Sequence, residues 1–144
     1  MTADFVFQLA SSIAVVGWLI LAAGVTLNRP FLRDVIAGQL WPFGLAILYT
    51  VLIGAFFFNA EGGFDSLAHV QLLFTTRWVA LAGWVHYLAF DLFIGAVIAR
   101  EVMKSGIARL ALLVLLPLTF LFGPIGYLAF IVLRTGLAKK VIAA

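Results

Sequence analysis

The chain has 144 residues, of which 65% are hydrophobic and only 10% charged, with a mean hydropathy of +1.20. That is far above the roughly 45–50% apolar usage of soluble domains, so a water-soluble globular fold is excluded and one integral membrane domain spanning residues 1–144 is expected. The absence of cysteine excludes disulfides, thiolate nucleophiles and Cys-ligated metals, and the net charge of +3 is scattered through short loops and the C-terminus, a pattern that suits lipid headgroups and not nucleic acid.

About 20 apolar residues, rising roughly 1.5 Å each, cross a hydrocarbon core about 30 Å thick. Residues 5–28 form the first such stretch and carry no charge. With no basic residue before it, this stretch reads as a retained helix and not as a signal peptide. Pro30 stops it, and Arg29–Gln39 reads as a link to a second helix over residues 40–59. The longer connection that follows contains an interfacial segment, residues 64–75, with Phe64, Leu67 and Phe74 near one face and Asp65 and His69 elsewhere. Residues 78–99 form the third helix and residues 109–134 the fourth. Pro117 and the run Gly123-Pro124-Ile125-Gly126 should bend or loosen the fourth and free the carbonyls of Leu113 and Phe120.

Lipid offers no partner for bare backbone groups, and these continuous apolar runs lack the alternation of barrel strands. The expected fold is therefore all-α: a polytopic four-transmembrane-helix bundle with a short interfacial helix between helices two and three. Glycines 17, 24, 44, 54, 83 and 95 are expected at close helix contacts. In a four-span arrangement Arg29, Arg33, Arg100, Lys104 and Arg109 lie on one side, and Arg77, Arg134, Lys139 and Lys140 on the other. The positive-inside rule then favours an outside N-terminus, narrowly.

The stretch "GWVHYLAFDLFIG", residues 83–95, places a histidine and an aspartate inside a transmembrane segment. An ionised carboxylate at the membrane centre costs about 2.5–3.5 kcal/mol, so Asp91 must be neutral, paired or facing a wet cavity. At about 100° per residue Trp84, Tyr87 and Asp91 share one stripe, while His86 lies about 140° from Asp91, which disfavours a direct bond between them. Asp91 is either hydrogen-bonded to another helix or the polar centre of a pocket with Trp84 and Tyr87, and His86 either packs or lines an adjoining wall. Asn59, Glu61, Asp65, His69 and Arg77 form either a solvated loop or a polar lid. Two separated histidines give no metal-ligand spacing, and His86 has no second axial partner for haem, so no metal or cofactor is expected.

Trp84-Val85-His86, Asp91-Leu92 and Gly123-Pro124-Ile125-Gly126 together resemble the small four-helix membrane family of neoxanthin synthases, named for abscisic acid deficiency, over about residues 64–134. The resemblance implies isomerisation of a 5,6-epoxy xanthophyll end group to an allenic alcohol, with Asp91 and His86 as catalytic acid and base in an order left open. It also implies a substrate site including Trp84, Tyr87, Arg109, Gly123, Pro124, Gly126 and Tyr127. Leu110 and Phe130 stand where the family has histidines, so a bacterial carotenoid or another long isoprenoid in an inner membrane is the expected substrate. A second reading is a non-catalytic carotenoid- or lipid-binding protein or assembly partner, and a homodimer would help enclose a long ligand. A transporter is disfavoured because no inverted repeat is visible.

Overall fold

The computed structural model describes residues 2–142, and the side chains of residues 2–136. Helix α1, Ala3–Thr26, starts where the Thr2 side chain accepts the Phe5 N–H at 3.3 Å. It ends at Leu27 and Asn28, the latter in the left-handed region (φ 51°), just ahead of Pro30. The expected link is not a loop. Residues Phe31–Leu40 wind as a π-helix that runs straight into α2, Trp41–Phe56. Pro42, near the start of α2, has no N–H to donate, and its ring would crowd the carbonyl four residues back in an α-helix. A wider turn relieves both problems.

After a 3₁₀ turn at Phe57–Asn59 the chain forms α3, Leu67–Leu73, capped by Ser66 accepting the His69 N–H at 3.2 Å. Helix α3 is shorter than the interfacial segment expected at 64–75. Helix α4, Arg77–Lys104, packs against α1, the π-helix, α2 and α5, and is the strut of the fold. A turn through Gly106 (φ 71°) leads into a 3₁₀ turn, Arg109–Ala111, and then α5, Leu112–Phe122, and α6, Pro124–Ile142.

The continuous fourth helix over 109–134 is therefore corrected. Gly123 (φ 43°, ψ −92°) does more than bend the chain: it turns it back on itself. Residue 119 lies four residues before this tip and residue 126 three after it, and a Cβ on Gly126 would lie 2.7 Å from the Thr119 Cα, so α5 and α6 run antiparallel as a hairpin. Phe130, 2% exposed, packs back among Leu112, Leu115 and Val102, and Arg134 reaches Glu101 at 3.6 Å. Arg134 thus lies at the C-terminal end of α4, not at the Arg77 end as a fourth span requires.

The core divides accordingly. Near the Arg77 end, Val6, Ala10, Ala14, Leu45, Leu52, Leu81, Val85 and Leu88 come from three helices only: α1, α2 and α4. Near the other end, Leu21, Ala37, Ala96 and Ala99 are joined by Leu112, Leu115 and Phe130 of the hairpin. Small residues allow close approach, as where Gly95 receives the Trp18 ring and Gly24 the backbone of Arg33. Gly44 and Gly54 have no neighbour within 4 Å, so packing does not explain them.

Among the described residues three helices, Ala3–Thr26, Phe31–Asn59 and Arg77–Lys104, are long and apolar enough to cross a membrane, whereas the apolar stretches Arg109–Phe122 and Pro124–Gly136 are shorter. Leu19, Phe43, Val51, Leu113 and Leu128 are each at least 60% exposed. In water such continuous apolar surface would be an aggregation liability. This is the outer surface of an integral membrane protein.

The hairpin gives a topology test in a chain that has no cysteine of its own. Single cysteines at Ser105 and Gly136 should react with an impermeant maleimide from the same side of the membrane, and one at Glu61 from the opposite side. Labelling of position 136 from the Glu61 side would mean that α6 crosses.

Candidate functional site

One stripe of α4 faces α1 and the hairpin, and each of its polar side chains meets a different element. The Trp84 indole N–H donates to Ser11 Oγ of α1 at 3.0 Å, and its ring stacks on Tyr87 and meets Phe7 at a tilt, both at 5.4 Å. The Tyr87 hydroxyl donates to the carbonyls of Phe120 (3.3 Å) and Leu121 (3.0 Å). Those carbonyls sit in the last turn of α5. Pro124 has no N–H to return to Phe120, and the reversal at Gly123 takes Ile125 away from Leu121, so both acceptors would otherwise be bare. Of the two carbonyls whose release the prolines imply, Phe120 is thus claimed by Tyr87.

Asp91 comes one turn after Tyr87. It is 8% exposed, and its Oδ2 is buried without a hydrogen-bond partner. The carboxyl points at the hairpin tip: a Cβ on Gly123 would lie 2.5 Å from Asp91 Oδ1 and 3.2 Å from Cγ. Gly123 is therefore required twice, by its positive φ and by the carboxyl beside it. One turn further on, Gly95 accommodates Trp18, whose ring meets Phe120 edge-on at 5.4 Å. Trp18 and Phe120 thus wall the tip from the α1 side, and sequence reasoning missed both. Their signal was faint, since an aromatic in an apolar helix has no distinguishing spacing.

Above the tip, in the half where only α1, α2 and α4 are present, a recess of about 350 Å³ opens between α1 and α4. Its walls include Ala3, Phe7, Ala80 and Trp84, and the Arg77–Asp4 ion pair (2.7 Å) stands at its mouth. Below the tip, α1 and α5 enclose a groove of about 290 Å³ along Trp18, Leu116, Pro117 and Phe120. An adjoining space of about 220 Å³ reaches Arg109. Arg109 itself donates to Asn28 Oδ1 at 3.3 Å, tying the hairpin's base to the end of α1.

Of the expected substrate residues, the structure brings Gly123 against Asp91, with Tyr87 one turn before it on α4 and Trp84 stacked on Tyr87 a turn further back. Pro124 begins α6, Gly126 is pressed against Thr119, and Tyr127, 45% exposed, faces outward with its ring 6.5 Å from Phe130. His86 is not brought to Asp91. Its ring meets Tyr49 of α2 at 5.5 Å and Phe90 at 4.6 Å, on another face of α4. Of the polar boundary residues, Asp65 bonds His69 at 2.8 Å and Arg77 bonds Asp4 at the mouth of the recess. Among the described residues no three His, Asp or Glu side chains gather as a metal would require. Chemically, the site offers one carboxyl, buried and unengaged at Oδ2, two helical turns along α4 from the Trp84 that lines the recess. That carboxyl is equipped to exchange a proton with an apolar molecule.

A model of a protein family described as ABA DEFICIENT 4-like matches residues 5–130. No curated protein and no solved structure matches.

Two substitutions test this geometry. Gly123→Ala should destabilise the protein by about 2 kcal/mol or more, through the left-handed backbone and the clash with Asp91. Adding Asp91→Ala should recover part of that loss in thermal unfolding. Tyr87→Phe, which bares two carbonyls, should cost about 1 kcal/mol with little change in helix content by circular dichroism.

Proposed function

Because this chain belongs to the ABA DEFICIENT 4-like family and is a carotenoid-related membrane protein, we propose that it isomerises an epoxy end group of a xanthophyll or related isoprenoid, with Asp91 as the acid. The observation that carries the reading is the buried, unpartnered Asp91 Oδ2 at the hairpin tip. A buried polar atom without a partner is costly, and a ligand oxygen arriving through the Trp84–Tyr87 recess would supply one.

Conversion of an epoxide to an allenic alcohol needs no net redox change. One ring C–O bond breaks, its electron pair stays on oxygen, and that oxygen takes a proton. The neighbouring vinylic C–H bond breaks, its pair becomes the second C=C of the allene, and that proton must be received. His86 lies on the wrong face of α4 to receive it, so Asp91 supplies both transfers. One carboxyl oxygen gives its proton to the epoxide while the other takes the vinylic proton, and the acid ends protonated as it began. Trp84 and Tyr87 flank the end group, and the polyene leaves along α1, either through the recess or along the Trp18–Phe120 groove.

The setting we propose is a bacterial inner membrane, crossed by three spans with the α5–α6 hairpin re-entrant. In that arrangement Arg77 is alone at one side. The other eight of the nine Lys and Arg lie at the opposite side, Lys139 and Lys140 by the course of α6. The positive-inside rule then supports an outside N-terminus far more firmly than a four-span arrangement does.

The test uses the full chain in nanodiscs with an epoxy-xanthophyll, following the allenic product by absorption and chromatography. Asp91→Asn should lower the rate at least about 100-fold, the scale of a lost general acid, with an unchanged unfolding temperature. Wild-type rates in a folded Asp91→Asn protein would remove Asp91 from the chemistry. No conversion by the wild-type chain would leave pigment binding as the function.

A further inference from the structure

His86 is used neither by the core nor by the chemistry at Asp91. It stands nine residues into α4, about 14 Å from the Arg77 end, yet its side chain is exposed beside α2. An imidazole at that depth needs a partner. Among the described hydrogen bonds none reaches its ring or the hydroxyl of Tyr49, whose ring centre is 5.5 Å away.

Between them opens a cavity of about 240 Å³ lined by Tyr49, Ile53, Phe57, Phe64, Phe74 and His86. Phe64 and Phe74, which flank α3, roof it at the membrane boundary, and the missing side chain of Gly83 leaves room for the Phe74 ring. On the other side of His86, the tilted Phe90 ring lies at 4.6 Å and also lines a second cavity along the same α2–α4 seam. This one, of about 320 Å³, is lined by Gln39, Pro42, Phe43, Phe90 and Phe93. From Ile53 to Gln39 along α2 is 14 residues, or about 21 Å. The seam therefore has a head the size of one substituted ring, holding two unpaired polar groups, and a straight aromatic tail.

We infer that this seam binds one hydroxylated carotenoid, its ring seated beneath Phe64 and Phe74 with the hydroxyl held by His86 and Tyr49, and its polyene lying over Phe90 toward Phe43 and Phe93. A single hydroxyl is both donor and acceptor, which matches an imidazole nitrogen and a phenol. An acyl chain would leave both unpaired. Flat aromatic faces suit a flat conjugated chain. This site lies on a different face of α4 from Asp91; the carotenoid class of its occupant rests on the family reading above, and nothing is transformed in it.

The full chain in nanodiscs is titrated with zeaxanthin, which carries a hydroxyl on each ring, and with β-carotene, which carries none, and bound pigment is measured. Zeaxanthin should bind about tenfold more tightly, the equivalent of one well-placed hydrogen bond. His86→Leu should abolish that preference while leaving β-carotene binding in place, and the near-isosteric Tyr49→Phe should reduce it. Ile53→Trp, which fills the head cavity, should abolish the preference for zeaxanthin and lower the binding of both pigments to what the Asp91 site alone takes up. Equal affinity for the two pigments in the wild type, no binding of either, or an undiminished preference in both His86→Leu and Tyr49→Phe would overturn the inference. Epoxide conversion at Asp91 is read separately and does not enter these measurements.

Discussion

Lipid offers no hydrogen bonds, and that constraint governs this structure at its most irregular point. A helical hairpin that turns inside a membrane exposes the carbonyls of its first helix at the turn, and something must meet them. Here a single phenol, Tyr87, meets two, those of Phe120 and Leu121. The tip is thus fastened to the middle of α4, and the turn residue that follows comes to rest against Asp91. Because the fastening and the carboxyl lie one turn apart on the same helix, the geometry that keeps the backbone satisfied also presents the acid.

Much of this was legible in the sequence. The first three spans follow from apolar length, which also predicts a fourth over 109–134 where the structure has the hairpin, and 3.6-residue periodicity separates the Trp84–Tyr87–Asp91 stripe from His86, which the structure keeps apart. The release of the Phe120 carbonyl follows from Pro124. The reversal itself was not legible. A proline predicts a break and not its angle, and the angle depends on Gly123 adopting a positive φ, on the absent side chain of Gly126 and on Arg134 reaching Glu101. The π-helix escaped for a similar reason: Arg29–Gln39 is polar enough to read as a loop, and only the contacts of Arg33, Ala37 and Gly38 with α1 and α4 give it a place to wind. Ser11, the partner of Trp84, is one of many weak polar residues and has no local signal that singles it out.

Helix α4 is a shared wall between two unlike environments. Toward α1 and the hairpin it presents an indole, a phenol and a carboxyl, each aimed at a specific neighbour. Toward α2 it presents an imidazole and two phenylalanines along an open seam. Of its six fully buried positions, Ala82, Val85, Leu92, Ala96, Ile98 and Ala99, three are alanine, so the neighbouring helices come close enough for both faces to be built from single residues and not from loops.

The hairpin has one consequence for the surrounding bilayer. Because α5 and α6 fill only the half beyond Asp91, a section near the Arg77 end cuts three helices and one near the Arg100 end cuts five. The protein is a wedge. The two leaflets meet perimeters of different size: the narrow half is the one into which the Trp84 recess opens, and the wide half carries the groove between α1 and the hairpin. Leaflet asymmetry of the ligand pool, and membrane curvature that relaxes one leaflet against the other, become variables to which this fold is sensitive by shape alone.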